Sequence, residues 1–186
     1  MKTLKFCLLV MVLSWCGQSY GQNINTNWKQ ELTTALEEFL KCKQSSRTDC
    51  NQFTGESLNK IYKVNDFYSQ KLGRYMANNE IPGFVRNSDQ WTLLGHSYEQ
   101  HVLTAAQEYA NSKKAVIAVY TNPEGAGHVV IITPGELHPS GSWSMKVPSA
   151  VSFFPTEPAK SFVDKGLSYA FAKNMLKDVL IYGRKY

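Results

Sequence analysis

Ala115-Val116-Ile117-Ala118-Val119-Tyr120 and His128-Val129-Val130-Ile131-Ile132-Thr133 are two β-branched apolar runs of strand length. The turn-rich stretch 121–127, with Asn122, Pro123, Gly125 and Gly127, separates them. Such runs fit a pleated surface, and the loop chemistry between them predicts an antiparallel hairpin. Neither run alternates with polar residues, so the hairpin is expected to be covered on both faces.

Upstream of the hairpin the period changes from two to that of a helix. Trp28, Leu32, Ala35, Leu36 and Phe39 form one helical face, predicting a helix from 28 to about 42 with Asn27 as its cap. Phe53, Leu58 and Ile61 form a second, and Asp49 is an N-cap for a helix starting at Cys50. A third helix is expected over 66–77, followed by a loop at Asn78, Asn79, Pro82 and Gly83. Tyr98, Val102, Ala105, Ala106 and Tyr109 repeat the helical spacing in a fourth, ending near Asn111. Downstream, strands are expected at 142–147 and 179–182, the latter closing the sheet, and Pro148, Pro155 and Pro158 keep 148–160 irregular. The expectation is an α+β fold, N-terminal helices packed on a small antiparallel sheet, without repeats or an internal domain boundary.

The N-terminus reads as a processed leader. Lys2 and Lys5 precede the apolar run Phe6 to Trp15, which is too short to cross a hydrocarbon core of ~30 Å at ~1.5 Å per residue. Ser19 and Gly21 supply the small residues of a cleavage site, giving a signal peptide at 1–21 and one domain at 22–186, secreted or periplasmic after cleavage near Gly21. Cys16, three residues after Leu13, competes as a lipid-attachment point, against which stands the bulky Trp15. No other apolar run is long enough for a membrane span. The leader holds two Lys and no acid, so the formal charge of +5 falls to +3 on its removal. The remaining cations are spread rather than striped with aromatics, which argues against nucleic acid as a partner.

Only Cys42 and Cys50 remain in the mature chain. In an oxidising compartment an even pair is a disulfide candidate, yet Cys50 at a helix start also sits where the backbone dipole stabilises a thiolate. His128 opens the second strand of the hairpin just after the flexible Gly125-Ala126-Gly127, so an imidazole on a rigid element lies downstream of a helix-borne thiol. Trp91 and Trp143 are open to two readings, groove wall or core. His96, His101 and His138 lack metal-ligand spacing.

Two motifs carry a family resemblance. Thr48-Asp49-Cys50-Asn51-Gln52-Phe53 resembles the Asp-Cys-Ser-Gly-Phe/Leu-Val signature of the NlpC/P60 cysteine peptidases and the Cys-Asn-x-Phe-Val variant of related cell-wall amidases. Gly127-His128-Val129-Val130-Ile131-Ile132 is similar to the Gly-His-Val strand bearing the family histidine. Both motifs and the segment between them span about residues 45–135, and the usual Gly-Asp-Leu entry to the first core strand is replaced by Lys114-Ala115-Val116.

The resemblance implies a divergent branch with a papain-like fold. It implies hydrolysis of an amide bond in peptidoglycan stem peptides, with Cys50 as nucleophile, the Cys50 N–H at the oxyanion and His128 as acid and base. No metal or organic cofactor is implied, and the residues name no inhibitor protein. The third catalytic group is not specified: Glu136 stands ~26 Å along an extended strand, leaving Ser149 and Asn122. The competing expectation is a secreted binding module for wall glycans or a protein, stabilised by a Cys42–Cys50 disulfide.

Overall fold

The structure, a computed structural model, describes residues 24–42, 50–122 and 127–186. The leader at 1–21, the polar stretch at 43–49 and the 123–126 part of the hairpin turn lie outside the described residues.

Helix α1 (Trp28–Lys41) buries Trp28, Leu32, Ala35 and Phe39, the face read from the sequence, and Cys42 follows it in extended conformation. Helix α2 (Phe53–Tyr62) starts three residues after Cys50, because Gln52 occupies its N-cap: the Gln52 carbonyl accepts the Glu56 N–H at 3.1 Å. Cys50 itself is helical, but the turn residues Asn51 and Gln52 separate it from the first turn of α2. Residues 66–77 form no helix. Gly73, at φ +64°, turns the chain between β1 (Tyr68–Ser69) and β2 (Arg74–Tyr75), which pair as a short antiparallel hairpin.

Helix α3 (Ile81–Asn87) leads to β3 (Trp91–His96), a strand the sequence pattern did not indicate, and helix α4 (Gln100–Asn111) follows as expected. Strands β4 (Val116–Thr121) and β5 (Gly127–Ile132) form the anticipated hairpin, in register from Val116 opposite Ile132 to Thr121 opposite Gly127. A separate two-stranded hairpin, β6 (His138–Ser140) and β7 (Met145–Val147), takes the place of the single strand expected at 142–147. Strand β8 (Ser149–Ser152) then returns to pair with β5, so the 148–160 segment starts as sheet. It is followed by β9 (Phe162–Gly166) and β10 (Val179–Arg184).

The main sheet has the order β3-β10-β4-β5-β8-β9, with every neighbour antiparallel. The C-terminal strand does not close the sheet at an edge; it inserts between β3 and β4. Val179, Ile181 and Tyr182 are buried there, and an apolar strand of six residues gains most where both of its edges are paired. Side chains alternate across β5. Val129 and Ile131 join a core with Leu32, Phe39, Leu58 and Phe153, while Val130 and Ile132 join a second with Leu103, Ala106 and Trp143. The sheet is thus the middle layer of an α+β molecule, with α1 and α2 on one face and α4 on the other.

Both tryptophans are core. Trp91 Nε1 donates to Asp66 at 3.0 Å, and Trp143 Nε1 donates to the Phe171 carbonyl at 3.0 Å. Asp66 also receives Arg184 through Nε at 2.7 Å and Nη2 at 3.0 Å, tying the last strand to the segment after α2. Asp66 holds the Arg184 guanidinium above its ordinary pKa against the opposing effect of burial. Replacing one member of so poorly solvated a pair strands the other charge. Asp66→Ala is expected to lower unfolding stability by roughly 3 kcal/mol, read as a shift of the urea midpoint; an unchanged midpoint would show the pair to be inert.

Candidate functional site

The hairpin ends where His128 stands. Tyr120 of β4 lies opposite it, and alternation along β5 sends its ring toward the side occupied by Val130 and Ile132. Phe154 stacks on the imidazole with centroids 4.3 Å apart and planes 23° from parallel, and Phe171 meets it edge-on at 5.6 Å. The Phe154 contact follows from register: β5 pairs Ile131 with Val151 and Ile132 with Ala150, and continuing that ladder sets residue 154 opposite 128.

The same ladder brings Ser152 onto the face of His128, one diagonal step away. Ser152 Oγ and His128 Nε2 share a hydrogen bond of 2.8 Å. This fixes the ring, and among the described residues none hydrogen-bonds Nδ1. In the tautomer that leaves Nδ1 free to accept a proton, Nε2–H donates to Ser152. Ser152 is fully buried, which suits an orienting group and rules it out as a nucleophile.

The sequence did not point to Ser152. Of the two residues it left for this role, Ser149 is bonded instead to His138 Nε2 at 2.8 Å and donates to the Glu136 carbonyl at 3.0 Å. Asn122 lines the same cleft as His128. The inserted β6–β7 hairpin moved the serine that reaches His128 from 149 to 152, a shift set by non-local pairing and without a local signature.

Cys50 is not a free thiol in this structure. It is bridged to Cys42, with Cα atoms 6.0 Å apart, and packs into the core that holds Phe39, Leu58 and Phe153. The expectation of a free Cys50 above a buried Cys42 is therefore replaced by the disulfide that the sequence also allowed. The helix-dipole argument for a thiolate lapses here, because bridged sulfurs do not titrate and α2 starts three residues later. Cys50 and His128 thus belong to opposite faces of the sheet, and Cys50 does not itself line the cleft that holds His128. Asn51, next in the chain to Cys50, and His128 both line that cleft, whose volume is about 950 Å³.

Asn78 and Gly127 continue the wall beside His128, while Phe154, Tyr169, Phe171 and Lys173 form another part of it. A cleft of this size, lined by aromatic rings and by many polar groups such as Asn51, Asn78, Asn79, Asn122 and Lys173, takes a short peptide or a comparable organic molecule. No group of three His, Cys, Asp or Glu side chains suited to a metal occurs among the described residues. No protein-family model matches the chain, and no curated protein matches it.

Burial among the aromatic rings lowers the His128 pKa to about 4, so the ring is neutral at pH 7. An unfolded chain with an ordinary histidine near 6.5 takes up a proton that the folded chain refuses until about pH 4. The unfolded state therefore binds more protons in this window, and stability falls as the pH drops through it, by on the order of 3 kcal/mol in full. Urea unfolding at pH 7, 5.5 and 4 is expected to show this loss, and His128→Gln to show less of it. Parallel slopes for the two proteins would contradict the assignment.

Proposed function

We propose that the chain is an exported hydrolase of peptide amide bonds, acting on peptidoglycan stem peptides when the Cys42–Cys50 disulfide is reduced. One observation carries the reading: an imidazole oriented through Nε2 by Ser152, with Nδ1 left open, in a peptide-sized cleft that the neighbour of Cys50 also lines. The α+β scaffold of helices packed on an antiparallel sheet agrees with the papain-like NlpC/P60 architecture that the Cys50 and His128 motifs resemble. The wall peptide as substrate rests on that resemblance and on the leader.

The bridged form is the resting state in this reading. A dithiol reductant delivers two electrons and two protons to the disulfide and is itself oxidised to a disulfide, leaving thiols at Cys42 and Cys50. This reading requires the reduced Cys50 to reach His128 across the cleft that its neighbour Asn51 lines. The Cys50 thiol proton passes to Nδ1, and the sulfur bonds to the amide carbonyl carbon. His128 then gives that proton to the departing amine nitrogen as the C–N bond breaks. Water, deprotonated by Nδ1, attacks the thioester, releasing the acid and returning the thiol. No step calls on a metal or organic cofactor, so chelator is expected to leave turnover intact.

The disulfide itself favours a second reading, a secreted binding module in which the bridge is purely structural and the cleft holds a wall peptide or a partner without turnover. The two readings part on Cys42→Ser. As a hydrolase, this variant loses about 2 kcal/mol of stability with the bridge and digests purified peptidoglycan without reductant, whereas the wild type needs reductant. Cys50→Ala and His128→Ala release no soluble muropeptides by mass spectrometry under either condition. Absence of release from reduced wild type and from Cys42→Ser would overturn the hydrolase and leave the binding module.

A further inference from the structure

A second cavity, of about 260 Å³, opens where α3, the end of β3, the end of β4 and the start of β10 converge, and it shares no lining residue with the cleft at His128. Pro82, Val119 and Leu180 give it an apolar wall. Arg86, Lys177 and Asp178 also line it, yet the side chains of these three form no ion pair or hydrogen bond among the described residues. Tyr182, which lines it too, is 6% exposed. The Tyr182 hydroxyl has no hydrogen-bond partner among the described residues, and it is not one of the unpaired side-chain atoms sealed from water. It therefore keeps accessible surface, and the cavity that Tyr182 lines supplies it.

The walls are held in place. Ser97 donates through its hydroxyl to the Leu176 carbonyl at 3.0 Å and through its N–H to the Val179 carbonyl at 3.0 Å, which fixes the turn bearing Lys177 and Asp178 beside His96. His96 stacks on Tyr98 with centroids 5.1 Å apart, and its Nδ1 meets the Lys177 carbonyl at 3.0 Å. A carbonyl only accepts, so Nδ1 carries the proton and Nε2 of the neutral ring presents a lone pair. His96 lines the cavity as well. The acceptors, His96 Nε2 and the Asp178 carboxylate, thus come from β3 and the turn before β10, while Arg86 comes from α3 across from them.

Charges of both signs left unpaired in one small cavity call for a ligand that carries both. An anion alone would meet the Asp178 carboxylate, and a cation alone would meet Arg86 and Lys177. The volume is below the ~300 Å³ at which clefts for drug-sized ligands begin, so the ligand is small. We infer that this cavity binds a free α-amino acid, its carboxylate on Arg86 and Lys177, its ammonium on Asp178 and His96 Nε2, and its side chain against Val119 and Leu180. The Tyr182 hydroxyl gives the carboxylate a further donor. Nothing in this assignment depends on hydrolysis in the other cleft.

The test is calorimetric titration of the oxidised full chain with alanine and leucine, beside propionate, which is alanine without its ammonium, and ethylamine, which is alanine without its carboxylate. The amino acids are expected to bind saturably and about tenfold more tightly than either single-charge control. Arg86→Gln and Asp178→Asn, both at exposed positions, are each expected to weaken alanine about tenfold and Tyr182→Phe about threefold, with the urea midpoints of the first two unchanged. Absence of saturable binding by both amino acids would overturn the inference. Propionate or ethylamine binding within twofold of alanine would overturn it too, by showing a site for one charge. So would undiminished alanine affinity in both Arg86→Gln and Asp178→Asn, which would place the ligand elsewhere. Peptidoglycan digestion is read separately, so its failure removes the hydrolase and leaves this site intact.

Discussion

The β4–β5 hairpin must be buried on both faces, and the rest of the molecule follows from that constraint. Ile117, Val119, Val129 and Ile131 require one apolar cover, and Val116, Ala118, Val130 and Ile132 another. The pair also has two edges to satisfy, since an unpaired backbone edge beside so apolar a strand invites association with other chains. Helices α1 and α2 supply the first cover, and α4 with Trp143 supplies much of the second. Strands β10 and β8 take the two edges. Tyr62 seals the arrangement from α2, its buried hydroxyl donating to the Ile132 carbonyl at 2.7 Å while burial raises its pKa well above the ordinary value.

The candidate site sits where this double cover runs out. At the end of the hairpin the sheet stops being sandwiched, so His128 is half-buried, with Phe154 stacked on its ring and Phe171 at its edge. That position explains both its neutrality and its open Nδ1. The same opening is where the Asn78 turn and the segment after Cys50 reach the cleft from the α1 and α2 side. The disulfide between Cys42 and Cys50 ties the end of α1 to the chain that enters α2 and lies outside the lining of the cleft.

Particular residues show how far local reading went. The 3.6-residue spacing of Trp28, Leu32, Ala35 and Phe39 matched α1, and the spacing of Val102, Ala106 and Tyr109 matched α4, because an amphipathic face repeats within a single element. The stretch 66–77 misled for the same reason: Phe67, Tyr68 and Tyr75 carry apolar bulk, but Gly73 at positive φ and the demand of Asp66 for Arg184 and Trp91 override helix propensity. Strands β3 and β9 mix buried and exposed positions without clean alternation, so neither stood out before its neighbours were known.

The sequence by itself determined the central hairpin, the two long amphipathic helices, the α+β class and the two residues, Cys50 and His128, around which any chemistry is argued. These rest on periods and turn residues that are complete within some ten to twenty positions. Only the tertiary structure decided that β10 enters the middle of the sheet, that Cys50 pairs with Cys42, and that Ser152 rather than Ser149 orients His128. The place of β10 and the choice of Ser152 depend on register between segments far apart in the chain. A one-residue slip in a strand pairing exchanges the faces of every side chain it carries, and no local pattern encodes which slip is taken.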